Sequence, residues 1–199
     1  QWESQTGQQG GHYGPRDDVM LDSAPLHPAE SFSDEGARRV LAELGLELPT
    51  EVQWEHAARA GTTTPWSFGD DLLAAGAFAK VADETAHERQ PEVGWRFTRG
   101  VRDGYAFHAP VGRFAANPWG LHDVHGNVRE LTSSTWEDWE EFPPADGTGA
   151  TKSKYDMYTV RGGSFDLGVD SARSSLRDGV PRRFNSASLG MRPSLSYAP

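Results

Sequence analysis

APVGRFAANPWGLHDVHGNVREL, Ala109 to Leu131, is the stretch on which the fold turns. Its short apolar pieces are broken by Gly, Pro, Asn and Asp every few residues, which is how a chain held in ordered loops reads. The same texture begins at Thr62 and continues to the end, with no further strong helical period. Seven tryptophans suit such a chain, because large rings bury much area where regular structure is scarce. Trp66 and Trp119 are read as packing residues.

Upstream the pattern is different. Ala37, Val40, Leu41 and Leu44 fall at the i, i+3, i+4, i+7 spacing of an amphipathic helix over Ser33 to Leu44, and Gly45 supplies its stop. A second helix is expected from Thr50, where Thr50 and Gln53 form a T-x-x-Q capping box. Trp54, Ala57 and Ala58 make its inner face, and Gly61 closes it. Gln1 to Pro28 is rich in Gly, Gln and Asp and reads as an irregular segment.

The chain has 199 residues and a formal net charge of -10, which suits one acidic domain spanning 1–199. No cluster of Lys and Arg offers a nucleic-acid footprint. No apolar run reaches the ~20 residues of a membrane span. Cysteine is absent, so disulfides and thiolate chemistry are excluded by composition. Compartment stays open, with a lean to an extracytoplasmic or cell-surface setting.

Asp123, Gly126, Asn127 and Glu130 crowd oxygen donors into one loop, a mixture that hard cations accept. Acidic residues capping turns would look the same. His122 and His125 lack a third ligand at zinc spacing. RGGSFD, Arg161 to Asp166, falls one glycine short of a nucleophile elbow. Its double glycine is read as a close backbone approach or a bulge feeding a buried strand.

Taken with LPTEVQWEHAARAGTTTPWSFGDD (Leu48 to Asp71), VRGGSF (Val160 to Phe165) and LGMRP (Leu189 to Pro193), the opening stretch resembles the formylglycine-generating enzyme, or sulfatase-modifying factor, family. The resemblance implies an α+β, C-type-lectin-like, loop-rich fold with two helices packed on small twisted sheets. The family's first amino-terminal strand has no counterpart in the chain.

In the family's oxygenases two cysteines after Gly-Gly-Ser bind copper. FDLGVDSARSSLRD (Phe165 to Asp178) holds no thiol there, with Leu167 and Ala172 at the approximate positions, so no copper is expected. The iron-dependent members draw a histidine motif from a separate helical domain, which the chain does not contain. The resemblance further implies a structural calcium at Asp123, the carbonyls of Gly126 and Val128, and Glu130. At the family's other calcium position, Asp103 and Tyr105 are present but Lys80 stands where an Asn would be. The Lys80 ammonium is expected to lie against Asp103 in place of the ion.

The function this supports is a non-catalytic binding or assembly module, docking a protein partner or larger assembly. Contact residues are expected among Phe165, Asp166, Leu167, Val169, Asp178, Arg182, Arg183 and Phe184, which mix apolar, charged and aromatic character. Trp136 and Trp139 offer a second surface, or face the core. The alternatives are a ligand-display protein of the diversity-generating-retroelement type and an enzyme of unrecognised chemistry. A filled space at Leu167 and Ala172 speaks against the last.

Overall fold

The computed structural model describes residues 27–137, 147–151 and 154–196. The expectations for residues 1–26 and for Trp139 lie outside these. Helix α1 (Asp34–Glu43) starts at Ser33, whose hydroxyl accepts from the Gly36 amide at 3.2 Å. Its buried stripe is Ala37, Val40 and Leu41. Leu44, expected to continue that stripe, is instead the exposed C-cap, and Gly45 takes the left-handed turn at φ +69°. Helix α2 (Glu51–Arg59) has the complete capping box: Thr50 accepts from Gln53 N at 3.1 Å, and Gln53 accepts from Thr50 N at 2.8 Å. Its left-handed cap is Ala60, one residue before the glycine expected to close it.

Among the described residues four strands, β1 (Arg129–Thr135), β2 (Met157–Arg161), β3 (Asp178–Pro181) and β4 (Leu189–Met191), form one sheet in the order β3-β2-β1-β4. β2 runs antiparallel to both neighbours, while β4 joins β1 in parallel. The alternation of strand side chains sends Leu131, Tyr158, Val160, Val180 and Leu189 to one face, where Ala37 and Leu41 of α1 cover them. The other face meets α2 and is polar. At the open edge, Pro181 removes a donor and Asp178 adds charge, both of which discourage further strand pairing.

A second core lies outside the sheet. Trp66, Val81, Val101, Val169 and Ala172 pack with Ala75 of the one-turn helix α3 (Ala75–Phe78) and with Ala79, its C-cap. A further short helix, α4 (Glu84–Arg89), is capped by Asp83. Neither is long enough to show a period in the sequence. The double glycine follows β2 rather than feeding it, and it does mark a close approach. A Cβ on Gly163 would meet Ser171 O at 2.7 Å, and one on Gly162 would meet the Trp54 ring at 3.2 Å. Among the described residues no helix is long and apolar enough to cross a membrane.

Candidate functional site

Between α2 and the sheet lie three carboxylates, each answered by an arginine. Glu51 binds Arg177, with one contact at 3.1 Å, and Glu55 binds Arg161. Glu130 receives Arg192 at 2.6 and 2.9 Å. Trp54 ties the layer together: its indole N–H donates to Glu130 at 2.6 Å, and Arg161 lies 5.3 Å above its ring. All three carboxylates are thus engaged by arginine. A buried pair of this type is costly to break, because the survivor is left charged and dry.

The Gly120 to Glu130 loop is bent by two non-glycine residues in the left-handed region, Asp123 at φ +57° and Asn127 at φ +64°. Asn127 was expected only as one oxygen among several, yet it fastens three segments. Its side chain exchanges hydrogen bonds with the Ala109 backbone at 2.9 and 3.2 Å. Its amide donates to Lys80 O at 2.7 Å, and its carbonyl accepts from Phe165 N at 2.9 Å. Nothing in local spacing announces this role, since all three partners are distant in sequence.

Asp123 Oδ2 accepts from Gly112 N at 2.6 Å, while Oδ1 is buried with no partner among the described residues. Burial raises its pKa above the usual carboxylate value. The Gly112 N–H and the Arg192 charge oppose that, and nearby Glu130 adds to it. The orphaned oxygen beside a second carboxylate fits a calcium ion. Glu130 Oε2 accepts from both Trp54 and Arg192, so Oε1, with a single Arg192 contact, is the oxygen that keeps a lone pair for an ion. The donors that would hold it are Asp123, Glu130 and the Gly126 and Val128 carbonyls.

Two clefts meet at this loop, and the sequence did not single them out. One of about 420 Å³ is lined by Val111, Asp123, Val128, Glu130, Met191 and Arg192, among others. Its neighbour, of about 470 Å³, runs along α2 past Trp54, Ala57 and Leu195, and the two share Leu121, Arg192 and Pro193. Leu195 is 70% exposed there. Trp119, expected to pack, is 53% exposed, stacked edge-on against His56. The exposed Trp119 follows from its turn, which Asn117 fixes by accepting from the Trp119 and Leu121 amides at 3.0 Å.

His125 is buried. Nδ1 donates to Ala172 O at 2.8 Å, and Nε2 accepts from the Ser67 amide at 3.0 Å, which requires the neutral ring. Burial lowers its pKa to about 4. His122 is exposed, with Nδ1 at 2.7 Å from Phe114 O. Among the described residues no three His, Cys, Asp or Glu gather for a metal.

Lys80 meets the expectation placed on it: its ammonium is 3.1 Å from Asp103 Oδ2 and 2.6 Å from Val81 O, fully buried. Burial lowers the lysine pKa and lifts that of Asp103 to about 6.

The expected contact residues divide. Phe165 and Val169 are buried and cannot meet a partner. Phe165 packs edge-on against Trp95 and His108, and Val169 belongs to the second core. The reason is that two glycines turn this segment inward immediately after β2. Asp166 and Leu167 are half-buried, and Asp166 accepts the Ser164 hydroxyl. Phe184 packs on the sheet core under Arg129. Trp136 is half-buried beneath Arg177, at 4.9 Å. Asp178, Arg182 and Arg183 remain open to solvent in whole or part.

Of the two approximate positions that the resemblance gives to the thiols, Ala172 is fully buried in the second core and Leu167 is half-buried. The Leu167 and Ala172 carbonyls are engaged by Ala82 N and His125 Nδ1, both at 2.8 Å.

A loop-rich α+β scaffold with two helices on a short mixed sheet defines the class of the formylglycine-generating-enzyme fold. Residues 2–194 match the family described as FGE-sulfatase, the sulfatase-modifying factor enzyme 1-like domain, and the chain belongs to that family. It is 33% identical over 129 residues to a formylglycine-generating enzyme of Mycobacterium tuberculosis, covering 65% of the chain and 40% of that relative. It is also 33% identical over 113 residues to the inactive C-alpha-formylglycine-generating enzyme 2 of Mus musculus, covering 54% of the chain and 31% of that relative. The chain thus spans less than half the length of either. The structure of Treponema denticola variable protein 1 superposes with a TM-score of 0.77 at 18% identity, over 96% of this chain and 79% of that one.

Proposed function

We propose that the chain is a non-catalytic binding or assembly module on the formylglycine-generating-enzyme scaffold, acting through contact with a protein partner. The observation that carries this reading is Ala172. A methyl group sealed in a hydrophobic cluster lies at the approximate position that the family resemblance gives to an oxygenase thiol, and a copper site needs soft ligands that this segment lacks. Inactive relatives in the family are consistent with the same reading. The partner surface is assigned to the open residues Asp178, Arg182 and Arg183, where a charged rim can steer association. The calcium proposed at Asp123, Gly126, Val128 and Glu130 is structural: it would neutralise the loop's crowded carboxylates.

Native mass spectrometry of the protein from its own source, with calcium retained, tests this. A stoichiometric complex that dissociates when Arg182 and Arg183 are changed to Glu is the expected result. A lone chain indifferent to those changes would favour the ligand-display alternative. Recovery of an aldehyde on a cysteine-containing peptide would overturn the non-catalytic reading.

A further inference from the structure

Removing an ammonium from water costs several kcal/mol unless other oxygens replace its hydration. For Lys80 those oxygens are set in place by backbone amides. Asp103 accepts from Val81 N at 3.1 Å and Tyr105 N at 2.9 Å. Asp83, also fully buried, accepts from the Asp103 and Ala86 amides. One carboxylate and one carbonyl meet the Lys80 ammonium at a buried point, and the Asp83 carboxylate adds negative charge nearby; oxygens of this kind are the donors of a hard-cation site.

The geometry points to a cation site whose cation is tethered: we propose that Lys80 Nζ occupies the seat where the family resemblance places a calcium, locking residues 80–83 to 101–105 without metal and excluding a divalent ion. A calcium does not fit beside it, because it would need the same Val81 and Asp103 oxygens that the ammonium already holds, and like charges would meet in a dry site. The lock also supports the neighbouring loop. Lys80 O accepts from Asn127 N, and Gly126 lies so close that an added Cβ would stand 1.9 Å from that oxygen.

Calcium counting by native mass spectrometry, with thermal unfolding in EDTA and in millimolar calcium, should be run on wild type, Lys80→Asn and Asp123→Ala. Lys80→Asn is expected to hold one calcium more than wild type. Its melting temperature should lie roughly 10 °C lower in EDTA and recover in calcium. If this variant is unfolded in EDTA, refolding on adding calcium supports the proposal and failure to refold overturns it. A folded Lys80→Asn with the wild-type count also overturns it, as does an Asp123→Ala protein that still takes up a calcium removable by Asp103→Asn. A wild type that binds no calcium refutes the ion at Asp123 but leaves the wild-type to Lys80→Asn difference decisive.

Discussion

His125 shows how a single side chain sets a pH limit on the fold. Its folded pKa of about 4 lies below the ordinary value of 6.5, so between those values the unfolded chain binds a proton that the folded chain refuses. Stability therefore falls as pH drops from 6.5 to 4, by on the order of 3 kcal/mol. Asp103 acts in the opposite sense. Its pKa is raised from 3.8 to about 6, so its contribution diminishes as pH rises through that window. Urea unfolding of wild type and His125→Asn across pH 4 to 7 separates the two: the variant should lose the acid-side decline and keep the opposing slope. Gly126 has a steric constraint instead. Gly126→Ala combines φ +82° with the 1.9 Å contact to Lys80 O, and a loss of about 3 kcal/mol or more is expected in the same assay.

Helix α2 carries the polar layer and binds it to the sheet. Its capping box satisfies amides that α2 cannot pair internally, so Thr50→Ala should cost about 1 kcal/mol in denaturant unfolding. The inner face matters more. Glu130→Gln weakens the pairing with Arg192, and a loss of about 3 kcal/mol is expected together with a shifted Trp54 emission, because the indole donates to that carboxylate. An unchanged emission maximum would deny the coupling between α2 and β1. The one-turn helix α3 contributes differently: Ala75 and the capping Ala79 are small enough for loops to close over them.

Among the described residues the candidate site joins a loop, which carries Asp123, Gly126 and Val128, to Glu130 at the start of β1, so its order depends on charges placed by distant segments. Saturating calcium, at about 100 times its dissociation constant, should raise the melting temperature by roughly 5 to 10 °C. Asp123→Ala should abolish that rise, and scanning calorimetry with and without EDTA reads both.

The sequence by itself determined the family, the two amphipathic helices with their caps, and the absence of thiol chemistry, because these rest on local spacing or on residue type alone. It also paired Lys80 with Asp103, through position in a known loop pattern. It could not show that Phe165 and Val169 turn inward, that Leu44 and Trp119 remain outside, or that Glu51, Glu55 and Glu130 each meet an arginine. Those outcomes were decided only in the tertiary structure. Glu51 and Arg177 are 126 residues apart, and Glu55 and Arg161 are 106 apart. No periodicity in a chain of loops records which buried charge will find which partner, since that choice is made by desolvation once the segments have been brought together.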